Sequence, residues 1–164
     1  MKGAIGNAFI LNLVISFILI FYLLLIGSMA YSRTYKVKNY IINAIDRLES
    51  EGRANNPANI LTETRDYLKK VGYTRSYNGH CANDLNERKR TSYGTYTNTQ
   101  LYLNSWEYDY CVYVNVLVNN DTNTVSANML NYTVVAYMKF DIPVIGNFIR
   151  IPIRGETKTY YRLK

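Results

Sequence analysis

Hydrophobic and polar positions divide the chain into regions with different periods. From Ala8 to Ala30 the run AFILNLVISFILIFYLLLIGSMA is apolar all round, interrupted clearly only by Asn12, Ser16 and Ser28. Those 23 residues, at ~1.5 Å each, reach roughly 34 Å, enough to cross a hydrocarbon core of about 30 Å. A single segment satisfies its backbone groups in lipid only as a helix. The pattern therefore predicts a retained transmembrane helix. A cleavable signal peptide fits less well, because the apolar stretch is too long and no clean small-residue cleavage site follows it. SMAYS at 28–32 is the nearest candidate.

From Ser32 the pattern changes without a break. Val37, Tyr40, Ile41, Ala44, Ile45 and Leu48 recur at three- and four-residue spacing, an amphipathic stripe of helical period. Arg33, Lys36, Lys38, Asp46, Arg47 and Glu49 are expected on the other face, and Gly52 ends the segment as a C-terminal cap. One helix over about residues 4–51, ~70 Å long, is the simplest reading. Asn56-Pro57 then predicts a cap and first turn. The helix runs to Gly72 with Ile60, Leu61, Thr64, Leu68 and Val71 facing inward. Residues 73–110, rich in Tyr, Asn, Thr, Ser and Arg, are expected to form loops and one or two short strands.

The C-terminal third has period two. In CVYVNVLV (111–118), Val112, Val114, Val116 and Val118 point one way and Tyr113, Asn115 and Leu117 the other. Residues 119–123 read as a turn, 131–144 as a strand, and Ile145-Gly146-Asn147 as a hairpin turn into 148–161. Pro143 and Pro152 favour strand ends or sheet edges. The fold class implied is α+β: a long N-terminal transmembrane and amphipathic helix packed on an antiparallel sheet of three to five strands. Residues 1–52 form the helix with its extension, and 53–164 the head with its C-terminal hairpins.

Composition sharpens this division. The formal charge is +7, yet no charged residue lies between Lys2 and Arg33. From residue 34 onward, 17 basic residues stand against 12 acidic ones, so the head is itself basic. A wholly soluble enzyme does not have this asymmetry. Gly 9 and Pro 3 with 14% aromatics also exclude collagen-like, mucin-like and disordered chains. Cys81 and Cys111 permit one bridge, which in an oxidising compartment closes a loop worth ~3 kcal/mol; two unpaired thiols are the alternative. His80 is the only histidine and is poorly placed for a zinc site, so neither metal nor cofactor is expected.

Orientation signals oppose each other. Arg33, Lys36, Lys38 and Arg47 outnumber Lys2 and the terminal amine, which by the positive-inside rule places the head in the cytoplasm. The cysteine pair and the Tyr/Asn/Thr-rich head favour export, and long domains translocate largely regardless of charge. The favoured reading is a single-pass membrane protein with its head outside.

Catalytic constellations are missing from the sequence. His80 and Cys81 are neighbours and do not form a dyad, and no phosphate-loop, dinucleotide, nucleophile-elbow or zinc-protease motif occurs. Glu107 and Asp109, two apart, read as solvated or ion-paired residues on one strand face. Asn120 and Asn131 begin N-x-[ST] triplets of a kind common by chance. Arg88, Lys89, Arg90, Arg150 and Arg154 are a candidate basic patch. With 17 tyrosines interleaved, such a patch suits DNA by stacking and phosphate contact, or anionic cell-wall polymer or lipid head groups. No small-molecule substrate is implied.

Met1-Lys2-Gly3, the small residues Ala4-Ile5-Gly6, Phe9 leading the apolar run, and the extension AYSRTYKVKNYIINAIDRLE together resemble a type IV pilin-like subunit. The resemblance is nearest to the TadE-like minor pilins of the tight-adherence type. MKFDIPVIGNFIRIPIRGETKTYY resembles the closing hairpin of such proteins in Gram-positive bacteria. Together these motifs cover about half the chain. They imply peptidase processing after Gly3 or Gly6, and helix packing through Ala8, Phe9, Asn12 and Ser16, of which Asn12 and Ser16 share one face. They also imply copies of itself or other pilin subunits as partners, in an adhesive surface filament or a secretion machine. Ala8 stands where the family has a glutamate that pairs with a neighbour's amine. The second expectation is an anchored surface binding module that does not polymerise.

Overall fold

The computed structural model describes residues 2–74, 81, 90–91, 94–105, 107–118, 125–138 and 151–161. Helix α1 runs unbroken over Lys2–Ser50. In its C-terminal half the expected stripe is buried save for the half-buried Tyr40: Val37, Ile41, Ala44, Ile45 and Leu48 are all within 4% of full burial. Each large side chain withdrawn from water there contributes ~1.5–3 kcal/mol.

Gly52, at φ 68°, ends α1 in a left-handed turn. The Gly52 and Arg53 amides return to the carbonyls of Glu49 and Leu48, satisfying groups the helix end would orphan. Asn56 then caps α2 (Pro57–Lys70) by accepting from the Ala58 amide at 3.0 Å, with Pro57 in the first turn. Helix α2 runs back antiparallel along α1. Arg47 pairs with Glu63, Tyr40 stacks on Tyr67 with centroids 3.8 Å apart, and Arg33 donates to the Val71 carbonyl. Ile60, Thr64 and Leu68 face inward, as their spacing predicts.

The strands are β1 (Arg90–Thr91), β2 (Gly94–Asn104), β3 (Tyr110–Val118), β4 (Val125–Met138), β5 (Ile151–Glu156) and β6 (Tyr160–Tyr161). They form one antiparallel sheet in the order β1-β2-β3-β4-β5, with β6 also paired to β4. The helices cover one face, where Leu103, Tyr110, Val112, Leu130, Tyr132, Val134 and Ala136 join the α1 stripe, Ile60 and Leu68. On the opposite face Cys81, Cys111, Tyr113 and Val135 form a second buried cluster with Leu101 and Tyr137 against it. The alternation in β3 thus divides the two clusters. The α+β architecture, with a small sheet on the amphipathic half of a long helix, is the one the sequence implies.

Several details differ from the expectations. Residues 73–110 include the 11-residue strand β2. Strand β4 begins at Val125 rather than at 131. Glu107 and Asp109 lie in a bend between β2 and β3, not on a strand. Lys38 is not on a solvated face. It is 8% exposed, its ammonium sits 4.1 Å over the Tyr35 ring, and its stem lies against Gly155 of β5. A Cβ at Gly155 would meet the Lys38 and Ile42 side chains at 2.8 Å, so the missing side chain lets β5 approach the helix. The turns expected at 119–123 and 145–147 lie outside the described residues.

Candidate functional site

The dominant surface feature is the N-terminal half of α1. From Phe9 to Met29 its large apolar side chains are 46–71% exposed, save the half-buried Ile26, and the most apolar window of the span has no residue buried by the described part of the chain. A core helix of equal hydropathy would be covered on one side at least. This one is long and apolar enough to cross a membrane, and it continues without interruption into the head-packed half. Asn12 and Ser16 are exposed on that surface, one turn apart. Gly3, Gly6 and Ala8 fall in the first turns of α1.

Residues 30–38 join span and head. Tyr31 and Tyr35 stack along the helix with centroids 6.2 Å apart, amphipathic rings of the type found at membrane–water interfaces. The Thr34 hydroxyl donates to the Ala30 carbonyl at 2.9 Å, satisfying a buried polar group within the helix. Arg33 reaches the carbonyl at the C-terminal end of α2, where a cation is favoured by the helix dipole. That approach depends on Gly72, whose φ is 63° and whose added Cβ would fall 2.9 Å from the guanidinium. Below this joint is a groove of about 300 Å³, lined by Tyr22, Ile26, Met29, Ala30, Arg33, Thr34, Gly72 and Tyr73.

Tyrosine hydroxyls fasten the head to the helices. Tyr160 donates to Asp46, and Tyr132 to Glu49 at 3.3 Å. Tyr102 donates to the Ala54 carbonyl, and the Tyr110 hydroxyl lies 3.1 Å from that of Thr64. Tyr73 sits between the carbonyls of Asp109 and Tyr137 at 2.8 and 2.7 Å. Asp46 and Glu49, expected on the outer face, are therefore half-buried acceptors at the margin of the helix–sheet contact. Burial pushes the Tyr110 hydroxyl up to about 12, opposed by the Thr64 hydrogen bond. Burial and then the Asp46 carboxylate push Tyr160 further up. The Arg65 hydrogen bond at 2.9 Å holds the Glu107 carboxyl below its usual range, so this acid is ion-paired.

On the sheet face away from the helices, one carboxamide organises a polar cluster. The Asn115 amide nitrogen donates to Asn131 Oδ1 at 2.8 Å and to Thr133 Oγ1 at 2.7 Å, while its oxygen accepts from Thr99 at 2.9 Å. Asn131 is 4% exposed, which removes it as a glycosylation acceptor in the folded chain. Beside this cluster, Cys81 and Cys111 are joined as a disulfide.

The candidate basic patch is not assembled by what is described. Arg88, Lys89 and Arg150 lie outside the described residues, as do His80 and Asn120, and only the backbone of Arg90 is placed, in β1. Arg154 is exposed on β5, in register with Val135 of the outer face. The stacking tyrosines that a DNA surface needs are reduced, since Tyr73, Tyr108, Tyr110, Tyr113 and Tyr132 are at most 5% exposed. Sequence reading missed the fastening role of these residues. The available signal was the concentration of tyrosine in the head, where 13 of the chain's 17 lie. Among the described residues, no group of three or more His, Cys, Asp or Glu is arranged to hold a metal ion.

Comparison with known protein families, with curated proteins and with solved structures finds no match for this chain.

Proposed function

We propose that this chain is a pilin-like structural subunit, anchored by α1 in a bacterial membrane with its head outside, that assembles through that helix into a surface filament or secretion machine. One observation carries the reading: a single unbroken helix whose C-terminal half is the core of the head and whose N-terminal half is left largely uncovered by the described residues. An all-apolar helix is stable in lipid and equally so when surrounded by copies of itself, so one segment serves storage and assembly. The disulfide supports a head in an oxidising compartment. The role is structural, with no substrate or cofactor.

Ala8 supports the second reading, an anchored binding module that stays single. Without a charge to be neutralised by a neighbour, the helix has less to fix an assembly register. Shearing cells and probing the sheared and membrane fractions separates the two. The filament reading expects the chain in sheared material. Its confinement to the membrane fraction would leave only the anchor.

A further inference from the structure

No stalk separates the head from the span. The apolar run ends at Ala30, yet Gly72 and Tyr73 line a groove together with Tyr22, Ile26 and Met29 of α1. The turn that follows α2 thus descends to the level of the last apolar turns. Two contacts fix the height of the end of α2: Arg33 donates to the Val71 carbonyl, and Tyr40 stacks on Tyr67. Lys69 and Lys70, in the last turn of α2, therefore lie between the levels of residues 33 and 40 of α1. Lys36 occupies that level on α1. It is three residues from Arg33 and four from Tyr40, so it shares the side that meets α2. Lys36 lies six positions beyond Ala30, a rise of ~9 Å. The headgroup layer of one leaflet is roughly 5–8 Å deep, which puts all three lysines at its outer edge.

All three are exposed. Arg33 and Lys38 do not belong to this set, one being bonded to the Val71 carbonyl and the other buried against Gly155. Among the described residues, ion pairs join Arg47 to Glu63, Arg53 to Glu51 and Arg65 to Glu107, and none of the three lysines takes part. The acids toward this end of α2 are Asp66, exposed one turn earlier, and Glu107, which Arg65 holds and Lys69 also attracts. On α1 the first acid is Asp46, ten positions beyond Lys36. The dipole of α2 favours cations at its own C-terminal end but does not account for Lys36 on the other helix. Further round α1, Tyr31 and Tyr35 are 54% and 44% exposed and stack on each other, an aromatic pair at the same boundary.

We propose that the underside of the head docks on anionic phospholipid headgroups, with Lys36, Lys69 and Lys70 meeting their phosphates beside the Tyr31–Tyr35 pair. The docking rests on the membrane-anchored reading and adds a seat to it: the collar holds the head against the bilayer. It requires no filament.

The test uses the full chain in vesicles of equal phosphatidylglycerol and phosphatidylcholine. A photo-crosslinking residue replaces Phe17 of the span or the exposed Thr74, next to Tyr73, and lipid adducts are counted by mass spectrometry. The probe at 17 should label both lipids alike. No lipid adduct there would sink the anchored reading, and the docking with it. The probe at 74 should label phosphatidylglycerol at least tenfold over phosphatidylcholine, since each lysine near an anionic surface contributes about fivefold, or roughly 1 kcal/mol. Combining Lys36→Gln, Lys69→Gln and Lys70→Gln should bring that ratio to one and leave labelling at 17 unchanged. The same three positions changed to arginine should keep the preference. With labelling at 17 intact, no lipid adduct at 74 would overturn the proposal. Equal labelling of the two lipids there, or a preference that survives the three glutamines, would do so too. Chain-to-chain adducts from 74 in place of lipid would also overturn it, assigning the underside to a second copy.

Discussion

Replacing Cys111 by serine tests the stapled architecture of the head. The bridge to Cys81 spans 30 residues of sequence and encloses β1 and β2. The chain-entropy relation for a loop of that length gives about 3.6 kcal/mol at 25 °C. Against a typical total of roughly 5–15 kcal/mol, that is a large share of the stability. Cys111 is also fully buried, beside Tyr113 and Val135. Serine there adds a hydroxyl in apolar surroundings at a further ~1–3 kcal/mol. Cys81→Ser, at 6% exposure, loses the same loop constraint with more access to water and should be the milder variant. The assay is urea unfolding of the full chain in detergent, followed by near-ultraviolet circular dichroism of the tyrosines, with and without reductant. Reductant should lower the midpoint of the starting protein and leave both serine variants unmoved. An unchanged midpoint on reduction, or a variant still sensitive to reductant, would refute the reasoning.

Other perturbations probe the remaining joints. Ile45→Ala, at a fully buried position of the α1 stripe, should cost ~2–5 kcal/mol in the same unfolding assay. Tyr110 ionises near 10 in an unfolded chain but only at about 12 when folded. Its contribution is therefore intact below pH 10 and is lost between pH 10 and 12, at ~1.4 kcal/mol per pH unit. Tyr110→Phe should flatten that alkaline decline in a pH series of unfolding midpoints. Gly72→Ala places a side chain at φ 63° and 2.9 Å from the Arg33 guanidinium. It should cost ~1–2 kcal/mol for the left-handed conformation alone and raise protease sensitivity near residue 72.

The helices were legible because their information is local. The stripe from Val37 to Leu48, the Gly52 stop and the Asn56-Pro57 start each follow from spacing or a single residue's backbone preference. Strand β2 was not legible, for two physical reasons. Its segment GTYTNTQLYLN carries β-favouring Thr and Tyr but little apolar alternation. Register shifts between Tyr96 and Asn98, and between Leu101 and Leu103, also break the period of two. The early start of β4 was hidden similarly, because the missed residues VSANML include Asn128, a residue type depleted in strands, and follow directly on a polar turn sequence. The exposed span was plain from its composition. The groove was not, since it needs Gly72 and Tyr73 brought beside Arg33 by the reversal of α2. The fastening tyrosines depend in the same way on contacts between distant segments, such as Tyr160 with Asp46.

The central claim is that the unpartnered half of α1 is an assembly surface. The direct measurement is photo-crosslinking in intact cells from a probe at Phe17, exposed on the span, against a control probe at Arg154 on β5. A ladder of multiples of the subunit mass from position 17, and little from position 154, is the result predicted. Monomer alone from position 17, in cells where the chain is abundant in the membrane, would contradict it.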